Sequence, residues 1–337
     1  MSVRYRWKLL RAGEFRLDAG SMFGLIPRAV WRKTVETDDR ARIRVQHNCL
    51  LLERADEPPA PTTGTPHPLY PDAPKLVVLE VGTGDKLDAR SRDIFALGER
   101  SITDALHEAD CRPEDIGAVF VSHLHFDHAG GLTRRPRPGE TPDWTGEASA
   151  FSGRPGTHPV KVTFPSAHLY VQSREWDDAL ANRSVMTRTY FRDHLEPMKE
   201  RVRPVDSPRP FPTGYTPDRD ETPRLTHEMR RTEVLPGIHT FLVPGHTWGQ
   251  QAVEFTDTRG RAVVFTPDVM PTAAHLPAAA SLAYDVEPYT SMISKRWFLQ
   301  TAAERDWLLV LDHEPANPLR RARDDGKGWY TLEENEA

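Results

Sequence analysis

Three imidazoles and a carboxylate fall within six residues of this chain: His123, His125, Asp127 and His128, in Ser122-His123-Leu124-His125-Phe126-Asp127-His128-Ala129-Gly130-Gly131. Neutral imidazole nitrogens and carboxylate oxygens are the donors that divalent metals take, and the H-x-H-x-D-H spacing gathers four of them on one short loop. The loop follows Gly117-Ala118-Val119-Phe120-Val121, an apolar run that reads as a buried strand. Four donors are too few for two metals, so further ligands must come from elsewhere. His246 lies in Val243-Pro244-Gly245-His246-Thr247, after the strand-like Ile238 to Val243. Asp268 follows Ala262-Val263-Val264-Phe265, and His313 follows Trp307-Leu308-Leu309-Val310-Leu311. Every candidate therefore sits just past the end of an expected buried strand, where the loops of a layered α/β protein converge on one rim.

The order H-x-H-x-D-H, then P-G-H-T, then an Asp after a strand, then a late His resembles the metallo-β-lactamase fold hydrolases over most of the chain. The segments Leu17 to Pro27, His123 to Thr133, Met270 to His275 and Ala283-Tyr284-Asp285 are similar to YtnP-type quorum-quenching lactonases. The resemblance implies an α/β fold, a four-layer αββα sandwich with Pro-rich loop insertions. It implies that His123, His125 and His246 hold one metal, that Asp127, His128 and His313 hold a second, and that Asp268 bridges the two. Zinc is the first expectation for these two divalent ions, and the same N/O donors accept Mn, Fe or Co. A hydroxide between the metals would be the nucleophile, with Asp127 carrying a proton to the leaving alkoxide and Asp268 fixing the metal pair.

Two positions depart from the lactonase pattern. Gln250 stands where P-G-H-x-x-G-H would place a second His, and Pro271 stands where some lactonases carry a substrate-facing Tyr, leaving Tyr284 as the candidate substitute. His275 is a candidate for orienting a ligand or lining the pocket. The implied activity is a hydrolase that opens acyl-homoserine lactones or related cyclic esters, a small-molecule substrate. The alternatives on the same site are a phosphotriesterase or arylesterase, and a non-catalytic ligand-binding member of the fold.

The chain has 337 residues and a formal net charge of −5, with neither sign gathered into a block. That length suits one hydrolase domain over 1–337, with 54–74, 133–163 and 201–230 as loop insertions. The absence of a basic face disfavours nucleic acid as a partner. Cys49 and Cys111 read as small buried hydrophobes rather than a disulfide. No apolar run is long enough for a signal h-region or a membrane span, so the expectation is a cytoplasmic protein without a membrane partner. Phe23 and Trp31 leave a homodimer open, since they could pack within the chain or across an interface.

The remaining pattern supplies the scaffold. Strands are expected over 42–52, 76–81 and 168–172, and helices over 101–109, 173–181 and 290–305. Trp176, Ala179 and Leu180 are expected to point inward, and 182–200, with Met186, Tyr190, Phe191 and Leu195, to continue helically beside the pocket. Residues 133–156, with Trp144 and Phe151, are a candidate rim, and Arg134-Arg135-Pro136-Arg137 a solvated cluster. His47, His168 and His239 read as structural strand residues, and His67, His107, His158, His194 and His227 as residues of loops or helix surfaces.

Overall fold

The structure, a computed structural model, describes residues 3–55, 73–147, 157–186, 188–212, 215, 217–218 and 222–336. His67, Phe151 and most of the 54–74 insertion lie outside the described residues. The first strands are β1 (Tyr5–Asp18), β2 (Arg42–Arg54), β3 (Leu76–Leu79) and β4 (Ala118–Phe120). Three short ones follow, β5 (Thr133–Arg134), β6 (Trp144–Gly146) and β7 (His158–Val162), then β8 (His168–Gln172) and β9 (Val202–Val205). The second half contributes β10 (Thr232–Leu235), β11 (Ile238–Leu242), β12 (Gln251–Thr256), β13 (Ala262–Thr266), β14 (Leu308–Leu311), β15 (Leu319–Asp324) and β16 (Tyr330–Glu334).

One sheet runs in the order β1-β2-β3-β4-β8-β9 and the other β10-β11-β12-β13-β14-β15-β16. Their central strands are apolar on both faces because both faces are covered, and the period-two alternation sorts the side chains. Leu50, Leu52, Val77, Leu79 and Phe120 of the first sheet pack with Val253, Phe255, Val263, Phe265 and Val310 of the second. The alternate residues Cys49, Leu51, Val78 and Val119 pack outward, with Ile102, Ala105 and Leu106 of the helix Ile102–Glu108. Val264, Leu309 and Leu311 do the same on the other side, with Ile293, Trp297 and Phe298 of the helix Pro288–Glu304. The layers are thus helix, sheet, sheet, helix. Each fully buried Leu, Val or Phe side chain is worth about 1.5–3 kcal/mol of transfer free energy.

Strand direction decides where the loops go. β4 pairs in parallel with both β3 and β8, and β13 with β14. β11 and β13 both run antiparallel to β12, so they point the same way. Parallel neighbours require a crossover, which Ile102–Glu108 supplies between β3 and β4 and Pro288–Glu304 between β13 and β14. Within each sheet, therefore, the C-terminal ends that precede the candidate donors emerge at one edge.

Several sequence expectations need correction. β1 is not among the strands expected from the sequence: its Arg6 and Lys8 are exposed while Tyr5, Leu10 and Phe15 are buried, so basic residues interrupt its apolar pattern. Residues 133–163 carry a three-stranded sheet, β5-β7-β6, and 201–230 contains β9 and the helix His227–Arg230. In the helix Ser173–Leu180 the buried residues are Glu175, Asp178 and Ala179, whereas Leu180 is exposed. Among the described residues between 182 and 200, only Arg192–Leu195 and a 3-10 turn, Glu196–Met198, are helical, and Met186 is exposed. His194 and His227 are buried, not surface residues, and His227 Nε2 lies 2.6 Å from Glu254 Oε2. Phe23 stacks on Trp31 inside the chain, with ring centroids 5.7 Å apart. Cys49 and Cys111 are free and buried.

Candidate metal centre

The H-x-H-x-D-H loop is seated by two glycines. A Cβ on Gly130 would lie 2.0 Å from Thr83 O, and one on Gly131 would lie 2.1 Å from Val81 O, so no larger residue lets this loop rest on the turn after β3. The same turn supplies Glu80, which has φ of 64°, a rare backbone region for a non-glycine residue. Glu80 Oε1 accepts the Ser122 N–H at 2.5 Å, and Oε2 lies 3.3 Å from His128 Nδ1.

The donors fall into two groups. His123, His125 and His246 each offer a nitrogen, and these lie within 4.8 Å of one another. His128, Asp268, Asp312 and His313 form a second group by the same measure. Asp268 sits between them: its Oδ2 is 3.2 Å from His246 Nε2 and 3.8 Å from His128 Nε2, and its Oδ1 is 3.5 Å from His313 Nε2. Asp127 lies beside the second group, its Oδ2 3.6 Å from His313 Nε2 and 3.9 Å from His128 Nε2. All seven residues of the sequence-derived donor set are therefore brought to one place, and Asp312 joins them.

Hydrogen bonds behind the rings fix their orientation. His246 Nδ1 is 2.8 Å from Asp285 Oδ1, His313 Nδ1 is 2.9 Å from Gln46 O, and His123 Nδ1 is 3.0 Å from Ser122 Oγ. A ring anchored at Nδ1 presents Nε2 inward, the usual arrangement behind a metal ligand. His125 is turned the other way, with Nδ1 3.0 Å from His246 Nε2. Burial, reinforced by neighbouring imidazoles, pushes His123 and His125 well below the ordinary histidine range, which keeps their lone pairs free. Burial opposes ionisation of Asp268, but the surrounding histidines, His246 foremost, outweigh it and hold the carboxyl far below the usual range. Burial pushes Asp312 up instead, with the charge of Asp268 adding to the effect.

A third layer ties the loops together. Glu175 is fully buried and accepts the Leu124 N–H at 2.9 Å, the Tyr190 O–H at 3.2 Å and the Thr247 O–H at 2.6 Å. It therefore joins the loop of His123 and His125 to that of His246. Of the other sequence candidates, Gln250 donates to Val243 O at 3.2 Å across its hairpin. His275 bonds Thr272 Oγ1 and Met22 O and stacks on Phe23, with centroids 4.6 Å apart. Tyr284 donates to Met22 Sδ at 2.6 Å, and its ring centroid is 6.1 Å from that of His246. Glu80, Glu175, Asp285 and Asp312 were missed as site residues; the signal each carried was an acidic residue at or just after the end of a strand, or a place in a family-like segment.

The donor set fits divalent cations. His123 Nε2, His125 Nε2 and Asp268 Oδ1 are buried without hydrogen-bond partners, a state that costs free energy unless something electropositive meets them. No helix among the described residues is long and apolar enough to cross a membrane.

A family model for the anti-Pycsar protein Apyc1 matches residues 98–135, the stretch from the helix before β4 through the donor loop. No functionally curated protein matches the chain significantly. Solved structures match along its whole length. A probable metal-dependent hydrolase from Staphylococcus aureus superposes with a TM-score of 0.69 at 22% identity, covering 100% of both chains. The dizinc quorum-quenching lactonase AidC gives 0.65 at 14% identity, over 100% of this chain and 97% of the other. AbOPH, a hydrolase of the beta lactamase superfamily, gives 0.64 at 15%, over 99% and 95%. At such identities the likeness speaks for architecture, and the architecture of this chain is the metallo-β-lactamase fold.

Proposed function

We propose that the protein is a metal-dependent hydrolase whose substrates are acyl-homoserine lactones or related cyclic esters, acting as one domain with two divalent cations, zinc first among them. The observation that carries this reading is the pair of buried donor groups, with Asp268 belonging to one and lying 3.2 Å from His246 of the other, and with His123 Nε2 buried without a hydrogen-bond partner. His123, His125 and His246 would hold one cation, Asp127, His128 and His313 the other, with Asp268 common to both and Asp312 as an added donor. Bound cations supply Lewis acidity, polarising an ester carbonyl and lowering the pKa of water from about 15.7 towards 7.

The chain's own residues do the rest. Asp285 and Ser122 hold His246 and His123 in place through their Nδ1 atoms. Asp127, close to His313 Nε2 and not fully buried, is placed to pass a proton to a leaving alkoxide. Tyr284 stays protonated, because burial and the carboxylates of Asp268 and Asp127 push its phenol well up. Its O–H, held now by a weak sulfur acceptor, can turn to a substrate carbonyl. Fold likeness to lactonases, one solved with N-hexnoyl-L-homoserine as product, supports the substrate class.

The test is metal analysis of the purified protein together with ring opening of acyl-homoserine lactones of increasing chain length, with Asp268→Ala as control. Turnover that vanishes in the control supports the reading. Active protein with well under one metal per chain would end it. Turnover of phosphotriesters or aryl esters but no lactone would keep the metallohydrolase and reject the lactone.

A further inference from the structure

Beside the loop of His246 lies a cavity of about 330 Å³ lined by Arg174, Asp178, Arg183, Ser184, Val185, Thr247, Trp248 and Val286. It abuts the candidate metal centre through two backbone segments. Thr247 directly follows His246, and the Val286 N–H donates to His246 O at 3.1 Å, next to the Asp285 that orients the same ring. The cavity is therefore one backbone segment away from His246, and none of the candidate donors lines it.

The wall is built from a helix end. Ser173–Leu180 terminates with Asn182 at φ of 51°, and the Arg183 N–H returns to Asp178 O at 2.8 Å, which fixes the Arg183 backbone. Arg183 Nη1 then donates to Asp178 Oδ1 at 3.3 Å, while Arg174 Nε donates to Oδ2 at 2.5 Å. The lining residues thus hold two guanidiniums and one carboxylate, with Arg183 largely exposed. The guanidinium fork of Arg183, with one N–H on Asp178, can meet a planar carboxylate with the donors that remain. Of the remaining lining, Val185, Trp248 and Val286 are apolar or aromatic, while Ser184 and Thr247 carry hydroxyls.

We infer that this cavity is a specificity subsite for a carboxylate-ended hydrocarbon substituent of the substrate, with Arg183 as the residue that reads the charge. The inference rests on the hydrolase reading above and deepens it, since it names the kind of ester or lactone the site selects. The apolar stem lies against Val185, Trp248 and Val286, and the carboxylate takes the face of Arg183 that Asp178 leaves open.

The test compares two lactones that differ only in whether the acyl chain ends in a carboxylate or a methyl. The metal-loaded protein is expected to prefer the carboxylate-ended member, and Arg183→Ala to lower that preference in kcat/KM by at least about tenfold, the scale of one charge-assisted hydrogen bond. Arg183→Glu should reverse it. Calorimetry provides a measure independent of turnover, using a straight-chain dicarboxylate and the monocarboxylate of equal length. Both acids offer one carboxylate to the metals, and only the first has another for Arg183. The wild type should bind the dicarboxylate more tightly, and Arg183→Ala should abolish the difference. Equal preference in wild type and both variants, or no difference between the two acids, overturns the subsite. If neither lactone is hydrolysed while the dicarboxylate preference depends on Arg183, the lactonase reading fails and the subsite stands.

Discussion

The two donor groups differ in where their negative charge lies. His123, His125 and His246 are three imidazoles whose carboxylates stand behind them, with Asp285 on His246 and Glu175 bracing both loops. The group of His128 and His313 contains Asp268 and Asp312, with Asp127 beside it and Glu80 behind His128. An all-imidazole set owes its geometry to residues that never touch the metal, whereas a mixed set carries compensating charge of its own. The two sites should therefore respond differently to the same perturbation.

The bluntest way to erase that difference is to remove Asp268, which belongs to one group and lies 3.2 Å from His246 of the other. Asp268→Ala should lose hydrolysis by three orders of magnitude or so and reduce metal content at both positions, as measured by turnover and elemental analysis. Sharper is Asp285→Asn, which should weaken metal binding about 10–100-fold at the three-imidazole group while leaving the other much less affected. Cobalt substitution followed by chelator titration reads the two positions separately; equal weakening of both would contradict the contrast. In wild-type protein the same titration should release one equivalent before the other, the first from the three-imidazole group.

Glu175→Leu strands three donors at once and should cost about 3 kcal/mol in denaturant unfolding, with Glu175→Gln recovering much of it. The effect that needs alkaline pH to be seen concerns Lys295, buried on the helix Pro288–Glu304, whose Nζ donates to His275 O at 2.8 Å and Ala280 O at 2.9 Å and so pins the segment leading to Asp285. Burial lowers its pKa from 10.5 to about 8. Between those values the unfolded chain binds a proton that the native chain does not, so this group's penalty is full below pH 8 and relieved as pH rises towards 10.5. Wild type should gain stability relative to Lys295→Met across that window, and a flat difference would mean that the amine titrates normally.

The seven candidate residues stood out because each follows an apolar run, and the direction of β4, β11, β13 and β14 carries those run ends to one edge of each sheet. The four layers were implied by the family resemblance, and the continuous apolar strands agree with cover on both faces. Glu80, Glu175 and Asp285 were not, because a carboxylate whose task is to accept backbone and ring N–H groups has no spacing rule. β1 was hidden by its basic exposed face, and residues 182–200 were misjudged because Tyr190 and Leu195 are buried by tertiary contact rather than by helical periodicity.

Strand order also has a kinetic consequence. His128 and His313 meet across 185 residues of sequence, and His125 and His246 across 121. Contacts of such separation form late in folding, after the crossovers between parallel strands are in place. No short fragment of the chain contains the whole donor set, so a cation held by all of it is held by the native state. Loading is then a folding checkpoint: at a free metal concentration one hundred times Kd, it should deepen the native well by about 2.7 kcal/mol per site, and a chain that misassembles its second sheet should stay empty.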